Sequence, residues 1–291
     1  MHHQVSDLGG YFDFVELWAQ IARKEKVDLP ATPDDWERKP MRFFDGLYTK
    51  PGVPEPPPGF SVLEKPRTGV PSFPPSNMSF WKITKADLDK LKNDFTPPDA
   101  PWISSGDTLA ALFWGTITRA RKAGGVPRRA TAKPAHERLA MAADGRQRAP
   151  GRNMAGRYFG NFNVLTTFLA SRADLLLTTK EGGSRVALCV RKAITEQLTA
   201  ERVTHRIAFY ESPEVSRPAG RVTLSADTIM TNWCKFDLAG PKLDMGYGIG
   251  KPFVQSRRIP STLRDFVDCS RRRHQEIFSP WSRWKILRLS I

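Results

Sequence analysis

A proline-rich stretch from Pro30 to Pro75, with Pro54-Glu55-Pro56-Pro57-Pro58-Gly59 at its centre, sets the first limit on what this chain can build. Proline fixes φ and removes a backbone donor, so regular structure is excluded over much of that span. Residues 30–75 therefore read as a long crossover linker between a short amino-terminal piece, residues 1–29, and a larger part, residues 76–291. The short piece carries one helix over residues 8 to 23. There Phe14, Leu17, Trp18 and Ile21 fall at i, i+3, i+4 and i+7, the spacing of a buried stripe, and Arg23 and Lys24 suit a helix C-terminus.

Beyond the linker the sequence predicts a second helix between Ser105 and Ala123. Leu109, Leu112, Phe113, Ile117 and Ala120 make its stripe, Gly124-Gly125 ends it, and Ser104 with Asp107 resembles a capping box. Strands are expected at Arg138 to Ala143, Phe162 to Ala170, Ile207 to Tyr210 and Val222 to Trp233. A further helix is marked by Ala187, Val190, Ile194 and Leu198. Strands and helices in this order point to an α+β layered domain.

Composition narrows the class. Hydrophobic residues make up 40% of the 291, which is globular rather than disordered. Cys189, Cys234 and Cys269 are too few and too scattered for a disulfide framework or a zinc site, so no metal is expected. The start has neither the basic lead nor the apolar run of a secretory signal, and no apolar stretch approaches the ~20 residues that span a bilayer. The expectation is a soluble, cytoplasmic monomer without membrane contact. The net charge of +15 is concentrated in two places, Arg119 to Arg157 at a net +9 and residues 255–291 at a net +6. A solvated basic face, nucleic acid, an acidic membrane surface and a polyphosphate partner all fit such a field.

His3-Gln4-Val5-Ser6-Asp7 forms an HxxxD pentad, preceded by His2 and followed by Gly9 and Gly10. By itself it reads equally as a surface pair beside a terminus or part of a tag. Four more segments accompany it in order. Trp102-Ile103-Ser104-Ser105-Gly106-Asp107 leads into Leu109-Ala110-Ala111-Leu112-Phe113-Trp114 and Thr118-Arg119-Ala120-Arg121. Asp144-Gly145-Arg146-Gln147-Arg148, Tyr158-Phe159-Gly160-Asn161 and Asp244-Met245-Gly246-Tyr247-Gly248-Ile249-Gly250-Lys251-Pro252 follow. Together they resemble the HxxxD, STND, DGRSR, YFGN and DFGWG segments of BAHD-type acyl-CoA-dependent acyltransferases, in the form of the fungal trichothecene 3-O-acetyltransferase branch. The resemblance runs from His2 to about Pro252.

That resemblance implies a chloramphenicol-acetyltransferase-like two-lobed layered fold, with most of the first lobe missing. It implies acyl transfer, acetyl above all, from acyl-CoA as co-substrate to a hydroxyl of a small secondary-metabolite alcohol. His3 is then the general base, since a neutral imidazole with a pKa of ~6.5 can take the hydroxyl proton. Asp7 points away from substrate and fixes the turn through charge-assisted hydrogen bonds. Asp244 holds its loop by an ion pair near the coenzyme channel, with Gly246 and Gly248 permitting the turns. Arg128, Arg129 and Lys133 are candidates for the coenzyme phosphates. His136, His205 and His274 read as surface or packing residues, and Trp18, Trp114 and Trp233 as core.

Departures from the pattern are Leu8 after the aspartate, Gly106 in STND, Met245 and Tyr247 in DFGWG, and a basic tail from about residue 255. Family members carry a large portion ahead of the histidine. Without it, apolar surface on the helix after Asp7 is expected to be exposed, and the chain alone to be poorly folded or inactive. Rival readings are a condensation-domain-like enzyme, which shares HHxxxD but not the glycine loop, and a non-catalytic remnant that binds coenzyme A. A nucleic-acid binder is disfavoured because aromatics do not interleave with the basic residues.

Overall fold

Helix α1 (Leu8–Ala22) begins where the pentad ends because Asp7 caps it, accepting from the Gly10 backbone N–H at 3.0 Å. The computed structural model describes residues 3, 5–27, 52–66, 81, 83–99, 101–126, 135–148, 158–217, 221–237, 240–246 and 266–269. Inside the proline stretch, β1 (Phe60–Val62) is a short strand, so the linker is not irregular throughout. Next comes α2 (Lys85–Phe95), which the sequence reading passed over although Thr84 caps it through the Asp87 N–H. Helix α3 (Ser105–Ala123) has the expected reciprocal box between Ser104 and Asp107 and stops at Gly124.

Strands β2 (His136–Asp144) and β3 (Asn163–Ser171) pair antiparallel from His136↔Ser171 to Asp144↔Asn163. Four helices follow: α4 (Arg172–Leu176), α5 (Lys180–Gln197), α6 (Ala200–Glu211) and α7 (Pro213–Ser216). Then come β4 (Val222–Leu224), β5 (Thr228–Asn232) and β6 (Phe266–Cys269). Among the described residues the main sheet has the order β3-β2-β5-β6, with β5 parallel to both β2 and β6. Strands β1 and β4 form a separate antiparallel pair. The α+β expectation holds in this layered arrangement.

Two strand expectations are corrected. Ile207 to Tyr210 lies in α6, where Thr199 caps the helix through the Arg202 N–H and Val203 and Ile207 bury at i and i+4. A four-residue apolar run cannot separate strand from buried helix, and here the helical spacing around it decides. Val222 to Trp233 is two strands, not one. They are broken at Ser225-Ala226-Asp227, where Asp227 exchanges hydrogen bonds with the Arg138 backbone as the chain passes from β1's partner to β2's.

The core lies between the sheet and α3 with α5. Trp114, Ile103 and Leu175 meet Leu139, Phe168 and Met230 of the sheet and Val186, Ala187 and Val190 of α5. Each large apolar side chain buried there contributes ~1.5–3 kcal/mol. A smaller cluster joins Tyr158, Phe162 and Val164 to Leu198, Val203 and Ile207. Helix α3 packs through Ala110, Ala111, Trp114 and Thr118; of its expected stripe only Leu109 is buried. Small residues at 110 and 111 let the helix approach closely on that side, which turns Ala120 out to solvent.

Helix α1 departs most from expectation. Phe14, Trp18 and Ile21 are 41%, 57% and 55% exposed, so the stripe read as buried faces outward and Trp18 is not core. This is the exposed apolar surface expected on the helix after Asp7. No helix of the described residues is long and apolar enough to cross a membrane.

Candidate functional site

The carboxylate of Asp7 is 1% exposed and accepts four N–H donors. Besides Gly10, these are Arg146 Nη1 at 3.0 Å, Arg146 Nη2 at 2.9 Å and the Phe162 N–H at 2.7 Å. The guanidinium is equally committed. Its Nε reaches the Tyr158 carbonyl at 3.3 Å, Nη2 the Gly160 carbonyl at 2.8 Å and Nη1 the Asp144 carboxylate at 3.2 Å. A buried, bidentate pair whose remaining donors are filled is the geometry in which such a pair holds two segments in register. Burial alone would lower the Arg146 pKa, but the hydrogen bond and charge of Asp7 outweigh it and raise it. At Asp144, burial pushes the carboxyl up, while Lys235 at 2.6 Å and the Arg146 backbone N–H together hold it below the usual range. Gly10 is required by the close fit, since a Cβ there would lie 2.4 Å from Ser6 Oγ.

His3 sits four residues before the cap on an exposed turn. Its backbone carbonyl accepts from Asn161 Nδ2 at 2.7 Å. Asp7 thus turns inward, away from solvent, while the residue four positions earlier stays at the surface.

Asp244 belongs to the far end of α1, where the Arg23 guanidinium donates to its backbone carbonyl. The Asp244 carboxylate closes its own turn, accepting from the Gly246 N–H at 2.9 Å. Gly246 has φ +77°, which favours glycine. Lys242 adds an ion pair to Glu16 of α1 at 2.9 Å. The structure therefore joins both sequence motifs to one helix but at opposite ends, and 15 residues of helix span ~22 Å. Asp244 and Gly246 are therefore not beside His3.

Gly248, Arg128, Arg129 and Lys133 lie outside the described residues. Other arginines of the basic segment turn inward: Arg119 donates to the carbonyls of Leu175 and Leu177, Arg121 to that of Asp227, and Arg138 to that of Ser225. That part of the charge excess serves the fold rather than a phosphate. None of His3, Asp7, Asp244 or Gly246 lines the groove of about 400 Å³ between α5 and β3. Arg146 and Asn161 were missed as site residues; both lie in segments already singled out, yet their partners are 139 and 158 residues away.

A mixed sheet with helices on it, and a helix pinned to the β2–β3 connection through Asp7 and Arg146, define a chloramphenicol-acetyltransferase-like class of fold. The F. graminearum TRI101 structure complexed with coenzyme A and deoxynivalenol matches it at a TM-score of 0.60 and 18% identity, over 86% of this chain and 54% of that one. The chain belongs to the Transferase family, whose model matches residues 1–269. The BAHD-type membership implied by the motifs holds, and the match continues past Pro252 to the end of β6. Hydroxycinnamoyltransferase 2 of Oryza sativa subsp. japonica is 28% identical over 268 residues, 87% of this chain and 54% of that protein. The hydroxycinnamoyl-CoA:5-hydroxyanthranilate N-hydroxycinnamoyltransferase HHT1 of Avena sativa is 26% identical over 260 residues, again covering 87% and 54%. The chain spans about half the length of the curated relatives it matches.

Proposed function

We propose that this chain supplies the general base and the second lobe of an acyl-CoA-dependent O-acyltransferase acting on a small secondary-metabolite alcohol. The observation that carries the reading is the inward Asp7–Arg146 pair, which locks the HxxxD turn and leaves His3 facing outward. Aspartate here has a geometric task, and the imidazole is the group available to substrate. In the reaction, His3 takes the proton of the acceptor hydroxyl as its oxygen attacks the thioester carbonyl. When the tetrahedral intermediate collapses, the C–S bond breaks and the coenzyme thiolate leaves with the proton that His3 returns. The coenzyme A bound in the matched TRI101 structure and the hydroxycinnamoyl-CoA of the Avena sativa relative support acyl-CoA as co-substrate. Acetyl as the group, and a trichothecene-like acceptor, follow the fungal form of the motifs. Residues 1–29 are taken as part of the first lobe, 30–75 as the crossover and the remainder as the second lobe.

The test is mass spectrometry of products from acetyl-CoA and hydroxycinnamoyl-CoA with a panel of alcohols, using the full protein translated from the transcript that carries this sequence. Acylated product that disappears in His3→Ala is expected, with a loss of at least ~10² in kcat. Undiminished turnover by His3→Ala would refute the assignment of the base.

A further inference from the structure

Three consecutive residues hold the HxxxD turn, each at a different place. The Gly160 carbonyl accepts from the Asp7 N–H at 3.4 Å and from Ser6 Oγ at 3.5 Å. The Phe162 N–H donates to the Asp7 carboxylate. Between them, Asn161 reaches furthest, with its side-chain amide on the His3 carbonyl at 2.7 Å. The strap itself is anchored: Tyr158 and Phe162, on either side, are each 5% exposed and pack edge to face at 5.8 Å.

We infer that Asn161 is a positioning residue for His3, a role that rests on His3 being the base. Asp7 and Ser6 are buried and Arg146 holds the Asp7 carboxylate, four residues from His3. The bond from Asn161 to the residue-3 carbonyl fixes the peptide plane next to the Cα from which the imidazole projects. The amide is the functional group needed, because the bond requires a donor. A carboxylate there would set a lone pair against the carbonyl oxygen, and alanine would remove the bond to the residue-3 carbonyl. Since Asn161 is exposed, the link contributes little to global stability and its effect falls on the direction of one side chain.

The experiment compares Asn161→Ala, Asn161→Asp and Asn161→Gln with the unaltered chain. On the isotopically labelled 291-residue chain, the ¹⁵N heteronuclear NOE of His3 and Val5 should fall in Asn161→Ala and Asn161→Asp, with an unchanged melting midpoint, and recover in part in Asn161→Gln. In the full protein, kcat should drop about tenfold in Ala and Asp while KM for acyl-CoA stays within about twofold. NOE values that do not change in Asn161→Ala, or an equal loss in all three variants together with a lower melting midpoint, would overturn the positioning role. Retained turnover in His3→Ala would remove the general-base reading instead, and the NOE comparison would still decide whether Asn161 holds the turn.

Discussion

Two acidic side chains of the same helical segment have opposite fates. Asp7 is buried against four donors, whereas Asp13, half-buried further along α1, faces a mixed field. Burial raises the Asp13 pKa; Arg146 opposes it, and Glu16, Asp144 and Asp7 add to it. The carboxyl therefore binds its proton more tightly in the folded than in the unfolded chain. Lowering the pH through its range favours folding, and at pH 7 the ionised group is a cost. Asp13→Asn should raise the melting midpoint at pH 7, and the gain should vanish below the unfolded value of ~3.9. Equal midpoints for variant and parent at pH 7 would show the burial to be without consequence. Of these residues, Asp7 was legible in sequence because capping and the pentad both act within four positions. The roles of Arg146 and Asn161 were not, because each depends on pairings made only when β2 and β3 bring Asp144, Arg146 and residues 158–162 to the start of α1.

Strand β3 shows the same dependence among elements. It is the edge of the main sheet among the described residues, yet its outward backbone groups are occupied by side chains. Arg206 donates to the Leu165 carbonyl, and Cys189 Sγ lies 3.2 Å from that of Leu169. Gln197 acts as a substitute strand, accepting from the Thr167 N–H at 3.2 Å and donating to its carbonyl at 2.6 Å. Burial brings the Arg206 pKa down to about 10, and Gln197 Oε1 accepts from this guanidinium at 2.6 Å. An edge closed in this way cannot template another strand. Gln197→Leu should cost about 2 kcal/mol by leaving Thr167 unpaired, and should increase self-association measured by light scattering. A monomeric variant with the parent's melting midpoint would sink the idea. The sequence marked α3, α5, β2 and β3, whose caps and periodicity are local. It misread α6 and passed over α2, because Val203 with Ile207, and Leu88 with Leu91 and Phe95, gain their meaning from the surfaces they meet.

At the scale of the whole molecule, α1 is held by its two ends and bare on its outer face. Asp7 and Arg146 fix the start, Arg23 the finish and Lys242 the middle at Glu16, while Tyr11, Phe14, Trp18 and Ile21 stand 41% to 57% exposed. Phe14 meets both Trp18 and Phe159, so the face continues onto the strap that carries Asn161. Covering what remains exposed would gain about half of the ~1.5–3 kcal/mol that full burial of a large side chain gives, and the curated relatives are about twice as long as this chain. Such a face suits the packing of further polypeptide against it. Trp18→Glu combined with Ile21→Lys should therefore act differently in two settings. In the 291-residue chain the pair should reduce self-association and lower the melting midpoint only slightly, because both side chains are more than half exposed. Where further polypeptide of the family fold is joined to it, the same pair should lower the midpoint strongly and weaken turnover together. If the 291-residue chain by itself loses as much stability as it does with such polypeptide joined to it, these side chains are packed within the chain itself, and the face has no role in docking.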